Sequence, residues 1–319
     1  MFAVLKRGIK RSIKRFLSLP SVHYVCNGVF HRIEKISFYA IERYRFKQWT
    51  GYKIQFANPR SFNEKVTYKK IYDRNPILPT ISDKYKVRDY VREKLGPELG
   101  ESVLIPCQYI TDKPSTIPFS DLIKPYIIKA NHASGLNRIV YEDSQVDESQ
   151  IIRDCKLWLA THYGSFKHEW AYQSIERKII IENLLVSDKG AVPEDYKFHM
   201  MNGECVFLQV DLDRFGSLKR SLYDKHWNRI EGTLKYPSAG HLKKPPTFHQ
   251  MLKIAEKLSS DFDYIRVDLY ELNGKIYFGE LTSYPGSGAV ELRPLNLDFA
   301  LGDKWIVDTE NYTHYLKNS

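Results

Sequence analysis

Hydrophobic and polar positions change rhythm partway along this chain. Between Asp83 and Leu95 the apolar residues Tyr85, Val87, Tyr90, Val91 and Leu95 recur at helical spacing. Ser82 or Asp83 is placed to open that helix, and Gly96 with Pro97 behind it to close it. From Pro125 onward alternation takes over. Residues 126–129, 138–141, 178–182, 196–200 and 205–212 read as strands, with Asn202-Gly203 as the hairpin turn joining the last two. Residues 148–161 and 246–259 read as helices, and residues up to about 48 as helical and basic. The run FANPRSFNEK reads as a polar segment, and Pro76 and Pro79 break the chain again before Asp83. The pattern predicts an α+β chain in which runs of antiparallel strands have helices beside them.

Within that pattern, residues 264–288, YIRVDLYELNGKIYFGELTSYPGSG, form a hairpin that places Asp268 and Glu280 on consecutive strands. Two carboxylates so placed can hold a hard cation. Magnesium takes one or two carboxylates and fills its other positions with water and nucleotide phosphates. The turn decides whether the pair can form. Strict two-residue pairing across Asn273-Gly274 sets Asp268 opposite Gly279 and sends Glu280 to the other face. A three-residue loop over Leu272, Asn273 and Gly274, with Gly274 left-handed, sets Arg266 opposite Glu280. Asp268 is then diagonal to Glu280 on the same face. The expectation is this bulged loop, and a two-residue turn would count against the metal site. The alternative is an edge hairpin whose acids merely face solvent.

Composition bounds what such a site can belong to. The 319 residues are enough for two modest domains or one large one, and 43% hydrophobic with 27% charged residues is an ordinary globular balance. Cys26, Cys107, Cys155 and Cys205 are scattered without a Cys-x-x-Cys pair, which suits reduced thiols in a cytoplasm, and no secretory leader is read. No apolar run reaches the roughly 18 residues of a membrane span. The net charge of +10 is uneven: Lys6, Arg7, Lys10, Arg11, Lys14 and Arg15 all precede the first acid, Glu34. Phe2, Leu5, Ile9, Ile13, Phe16 and Leu17 lie between them, giving a basic amphipathic helix that Pro20 ends. It suits an anionic membrane surface, or equally packs its stripe on the body of the protein. Nucleic acid is a weaker partner, because the cations sit in no helix-turn-helix, zinc-finger or RNA-recognition pattern.

Polar clusters at strand ends supply further candidates. In PYIIKANHASGLNRIVY a strand delivers Lys129, and a small-residue loop with Ser134 and Gly135 follows, which suits phosphate or is ordinary turn chemistry. Lys84, beside Asp83 at a helix start, could reach a nucleotide or stay solvated. Glu182 after the run IIIE could mark a hinge strand whose backbone pairs with adenine. Lys197, Arg214, Arg220 and Arg266 are cations on strands or just beyond, where alternation could aim them at a shared cleft. His132 is expected to hydrogen-bond within its loop, and Trp158, Tyr172 and Trp227 to pack.

The order of these clusters resembles the ATP-grasp superfamily. More closely, PRSFNEKV, DKYKVRDYV, IIKANHASG, EDYKF, IRVDLY and IYFGELTSYPGSG resemble its TupA-like branch, named for teichuronopeptide biosynthesis and found among polysaccharide assembly proteins. The resemblance spans about residues 59–302. It implies an α+β ATP-grasp architecture with antiparallel sheets flanking a nucleotide cleft, and it leaves the basic helical N-terminal segment unexplained. The expected division is 1–50 for that segment, 51–120 for the first part of the body, 121–305 for the nucleotide- and metal-binding lobes and 306–319 for a tail.

ATP and Mg2+ are the implied cofactors. The resemblance gives Lys84, Lys129, Ser134, Gly135 and Glu182 to the nucleotide, and Asp268 and Glu280 to the metal. Thr282 stands where many relatives carry Asn, as a third, neutral ligand. Lys197, and after it Arg220 and Arg266, are the implied catalytic cations facing phosphate or substrate. The implied activity is an ATP-dependent carboxylate-amine ligase acting through an acyl phosphate, with a uronic-acid-type sugar or glycan and an amine, such as an amino acid, as partners in surface polysaccharide synthesis. A sugar phosphotransferase and a non-catalytic, membrane-associated assembly factor are the alternatives. A cytoplasmic location follows, with peripheral contact at the inner membrane face as an option and no nucleic acid partner.

Overall fold

The computed structural model describes residues 20–187, 190–213 and 216–312. The basic helix expected before Pro20, and Arg214, lie outside them. Helices α1 (Pro20–Ile36), α2 (Ala40–Thr50), α3 (Phe62–Tyr72), α4 (Val87–Leu95) and α5 (Pro97–Val103) precede the first strand. Pro20, expected to stop a helix, stands at the head of α1, where its missing N–H costs nothing. The polar run FANPRSFNEK contains the start of α3. Ser61 Oγ accepts from Glu64 N at 3.0 Å and Glu64 Oε2 accepts from Ser61 N at 3.0 Å, a reciprocal capping box. Residues 83–86 are a turn rather than helix, because Asp83 Oδ1 takes the amides of Tyr85 and Lys86 at 2.9 and 3.3 Å.

The smaller sheet holds β1 (Cys107–Thr111), β2 (Tyr126–Ala130), β3 (Asn137–Val140) and β4 (Ile179–Asn183), all antiparallel, in the order β1-β4-β2-β3. Tyr126, Ile128, Ile179 and Ile181 face helix α6 (Glu148–Leu159) and form a core with its Ile151 and Cys155. Alternation turns Ile127, Lys129, Ile180 and Glu182 the other way.

The larger sheet is also antiparallel, in the order β11-β10-β5-β6-β7-β8. It comprises β5 (Asp195–Met201), β6 (Glu204–Leu212), β7 (Lys219–Tyr223), β8 (Arg229–Ile230), β10 (Tyr264–Leu272) and β11 (Lys275–Thr282), while β9 (Thr233–Leu234) pairs with β12 (Leu292–Arg293). Asn202 and Gly203, at φ +49° and +86°, close the β5–β6 hairpin as the pattern predicts. Helix α7 (Phe248–Ser259) lays Phe248, Met251, Ile254, Ala255 and Leu258 on one face, against Phe198, Met200, Leu208, Val210 and Val267. At the far end of the other face, Phe62 of α3 meets the rings of His199, Phe207 and Tyr264, and α3 packs on α8 (Leu295–Gly302).

The β10–β11 hairpin corrects the sequence expectation. Leu272 pairs with Lys275, so Asn273 and Gly274 alone make the turn, at φ +53° and +79°. Two consecutive left-handed positions are what Asn-Gly supplies best, and the three-residue loop is not formed. The extra residue lies instead inside β11. Leu269 faces Phe278 and Asp268 faces Glu280, with Gly279 bulged between them. The bulge undoes the slip that a two-residue turn imposes, so both acids point to one face, directly opposite rather than diagonal. Glycine fits this position because a Cβ would lie 2.9 Å from the Tyr270 ring and 3.1 Å from the Asp268 carbonyl oxygen. Gly279→Val is expected to destabilise the fold by about 1–3 kcal/mol through that overpacking. Denaturant melts would show it, and wild-type stability in the variant would count against a tightly packed bulge.

Candidate active site

Alternation divides the larger sheet into an apolar and a polar face. Tyr196, Phe198 and Met200 of β5 enter the core, so Asp195, Lys197 and His199 face the opposite way. Register places Gln209 and Asp211 of β6, Arg220 of β7, Arg266 and Asp268 of β10, and Glu280 and Thr282 of β11 on that same side. Glu280, Asp268, Lys197 and Gln209 stand abreast in one row across four strands.

One guanidinium holds the acid pair. Arg266 Nε and Nη2 reach Asp268 Oδ1 and Oδ2 at 2.6 and 2.7 Å, and Nη2 also meets Glu280 Oε1 at 2.9 Å and Thr282 Oγ1 at 3.0 Å. Thr282 Oγ1 donates to Glu280 Oε1 at 2.9 Å. Lys197 Nζ lies 3.1 Å from Asp268 Oδ2, 2.5 Å from Asp195 Oδ2 and 4.0 Å from Asp211 Oδ2. Arg220 is placed differently from the expectation. Its fork clasps Asp211 at 2.5 and 2.8 Å and donates to the Leu234 carbonyl at 2.9 Å, so Lys197 and Arg266 are the cations that face the acid pair. Burial pushes the Asp268 carboxyl upward, and the charges of Arg266 and Lys197 oppose that push.

The smaller sheet supplies the facing wall. Lys129 Nζ bonds Glu182 Oε2 at 2.7 Å, and Arg88 Nη1 approaches Glu182 Oε1 at 3.3 Å while donating to the Ile105 carbonyl at 2.8 Å. Glu182 sits in an interior strand, opposite Cys107 on one side and Ile127 on the other. Its carboxylate is held by Lys129 and Arg88, and Glu182 to Leu185 line the cleft. Lys84 Nζ donates to the Ala133 carbonyl at 2.7 Å. Burial pulls its pKa down, Lys129 adds to that, and Glu280 works against it. Lys84, Lys129, Glu182, Ser134 and Gly135 line the same cleft as Asp268 and Glu280, which encloses about 1000 Å³ of empty space counting its mouth. Leu184, Leu185 and Val192 make its apolar end.

The loop over residues 131–137 is half anchored. Asn131 Nδ2 donates to Asp83 Oδ1 and the Glu176 carbonyl, each at 2.9 Å, and Oδ1 accepts from Lys178 N at 2.8 Å. His132 Nδ1 lies 3.4 Å from Asn131 Oδ1 within its loop, as expected, its Nε2 lies 3.1 Å from the Thr161 carbonyl outside it, and burial lowers its pKa to about 4. Ser134 and Gly135 are exposed at the tip, Gly135 at φ +76°. Trp227 packs in the core as expected, stacked on Tyr223. Arg88, Asp195 and Asp211 were not picked out from the sequence. Asp195 and Asp211 share the strand parity of Lys197 and Gln209, and that alternation is the signal that finds them.

Asp268, Glu280 and Thr282 offer only oxygen donors, and Arg266 Nη2 touches an oxygen of all three. The three donors thus surround one point that accepts positive charge, and their chemistry fits a hard divalent ion. Among the described residues, no group of three or more His, Cys, Asp or Glu side chains gathers to hold a metal.

A family described as TupA-like ATPgrasp matches residues 64–306. Among curated proteins none matches the sequence. Solved structures with a distant likeness include D-alanine–D-alanine ligase from Helicobacter pylori, at 14% identity and TM-score 0.40 over 77% of this chain and 69% of that one. The same ligase from Bacillus anthracis complexed with ATP gives 16% identity and TM-score 0.42, covering 75% and 67%. The ATP-grasp ligase PsnB, complexed with a phosphomimetic variant of its minimal precursor, Mg and ADP, gives 10% and 0.37, covering 98% and 72%.

The two acids differ in setting, and so should their variants. Asp268 is 2% exposed, and Asp268→Asn weakens a buried ion network, a type of change that costs about 3–5 kcal/mol when one partner is lost. The Glu280 side chain is 40% exposed, so Glu280→Gln is expected to keep near wild-type stability yet lose the thermal shift produced by MgADP. Melting curves with and without MgADP would test this. A Glu280→Gln protein that keeps the full shift would remove Glu280 from the metal site.

Proposed function

Since the chain belongs to the TupA-like ATP-grasp family, we propose that it is an ATP- and magnesium-dependent carboxylate-amine ligase that attaches an amino compound to a uronic-acid-type carboxylate. The observation that carries this reading is a single cleft. It sets Lys84, Lys129 and the Ser134-Gly135 loop on one wall against Asp268 and Glu280 on the other.

The residues present account for the chemistry of such a reaction. A carboxylate is a poor electrophile, so the γ-phosphoryl group of ATP is transferred to it first. The amine then attacks the acyl carbon and phosphate departs with the bonding pair. No protein nucleophile is needed, and positioning with charge stabilisation does the catalysis. Leu184, Leu185 and Val192 offer an apolar slot for a base, while Lys84 and Lys129 offset phosphate charge. Lys129 is shared with Glu182, which keeps its ammonium aimed into the cleft. Asp268, Glu280 and Thr282 would hold magnesium. When bound, the ion would supply positive charge to offset that of the nucleotide phosphates. Lys197 and Arg266, which contact Asp268, are the cations assigned to offset charge on the transferring phosphoryl. Arg220 holds Asp211, which keeps a counter-charge near Lys197.

The acyl phosphate must be kept from water, which is the work assigned to the glycine-bearing tip of the 131–137 loop. Hydrogen exchange is expected to show new protection at residues 134–136 when MgADP binds, with 131–133 protected in both states. Unchanged exchange at the tip would refute a closing lid. Substrate class is tested by ADP release from ATP with uronic acids screened against amino acids, and by mass spectrometry of each positive pair. Ligation predicts a signal that needs both partners and a product with a new amide. ADP release with a sugar alone, yielding a phosphorylated hydroxyl, would select a phosphotransferase instead.

A further inference from the structure

Eight of the fourteen exposed large apolar side chains among the described residues fall between residues 25 and 49, in α1, α2 and the bend joining them. Val25, Val29, Ile33 and Ile36 recur at three- and four-residue steps, so they form one stripe along the outer side of α1. They are 48–80% exposed, and Phe38 and Trp49 continue the patch at 74% and 62%. The inner side of α1 is fixed to the body. His23 Nε2 lies 3.0 Å from Ser165 Oγ, His31 Nδ1 lies 3.1 Å from His168 Nδ1, and Glu34 Oε1 and Oε2 accept the amides of Ile41 and Glu42 at 2.9 and 3.1 Å. The outward direction of the stripe is thus set by packing.

The exposed charge carried by α1 and α2 has one sign. The acids that precede Asp89 in the sequence are Glu34, Glu42, Glu64, Asp73 and Asp83, and each is at most 2% exposed. Glu42 is taken up by Lys70 at 2.6 Å. Arg32, Lys35, Arg43 and Lys47 are exposed. Aliphatic side chains among cations, with neither carboxylate of these two helices showing, match a bilayer, where acyl chains take the apolar groups and headgroup phosphates the cations. Nucleic acid would leave the valines and isoleucines without a partner, and a second copy of the chain would bring like charges together.

We infer that the outer face of α1 and α2 docks on a membrane surface rich in anionic phospholipid. The full-length protein would be sedimented with vesicles of phosphatidylglycerol and phosphatidylcholine, and with phosphatidylcholine vesicles alone. Binding to the anionic vesicles only is expected. Val29→Asp with Ile33→Asp, and separately Arg32→Glu with Lys35→Glu, should each weaken it by about tenfold or more while the melting temperature and the MgADP shift stay unchanged. Four results would overturn the inference. These are no binding by the wild type, undiminished binding by both variants, a wild-type dimer that the Asp variant converts to monomer, or a lowered melting temperature with vesicle binding intact. The last would mean that the stripe packs against residues 1–19. None of these readouts depends on ligase activity.

Discussion

Strand parity is the constraint on which the rest of this structure depends. Glu280, Asp268 and Lys197 share one face of the larger sheet because a strand sends alternate side chains to opposite sides, and one residue of slip would send Glu280 into the apolar layer. Asn273-Gly274 imposes such a slip by closing the tightest turn, and Gly279, the fifth residue of the returning strand, cancels it. Two local preferences that conflict are thereby reconciled. The turn keeps its favoured geometry, and the site keeps its pair of acids.

Bringing many charges to one buried face carries a desolvation cost, and pairing across neighbouring strands offsets it. Arg220 with Asp211, Lys197 with Asp195 and Asp268, and Arg266 with Asp268 and Glu280 alternate in sign along the sheet. Lys84 is the exception. Its pKa is lowered by burial, with Lys129 adding to the effect and Glu280 opposing it, and its ammonium donates only to the Ala133 carbonyl among the pairs described.

Much of the architecture was legible in the chain, for physical reasons that also explain the gaps. Strands at 126–129, 178–182 and 205–212 were readable because isoleucine-rich runs or strict alternation leave few other conformations. Helix α3 was not, although its capping box is plain in SFNE. Lys69 and Lys70 are buried there against Asp73, Asp263 and Glu42, so no apolar stripe marks the helix. Strand β1 escaped because all five of its residues are half-buried, which erases the alternation. The acids Asp268 and Glu280 could be named from the sequence, but their register could not. A bulge in mid-strand depends on the contact between Gly279 and Tyr270 across the pair, which no local pattern records. Asp195 was missed because the strand was started one residue late.

The fork of Arg266 carries a consequence for how the site fills. By lying between Asp268, Glu280 and Thr282 it supplies an internal counter-ion to the two acids. On the proposed reading, a divalent ion held by these donors would have to displace that fork. An ion that came together with a polyphosphate would give the displaced guanidinium a new anion to hold. Occupancy would then be cooperative between the two guests, and free-ion concentration by itself would be a poor regulator of this protein.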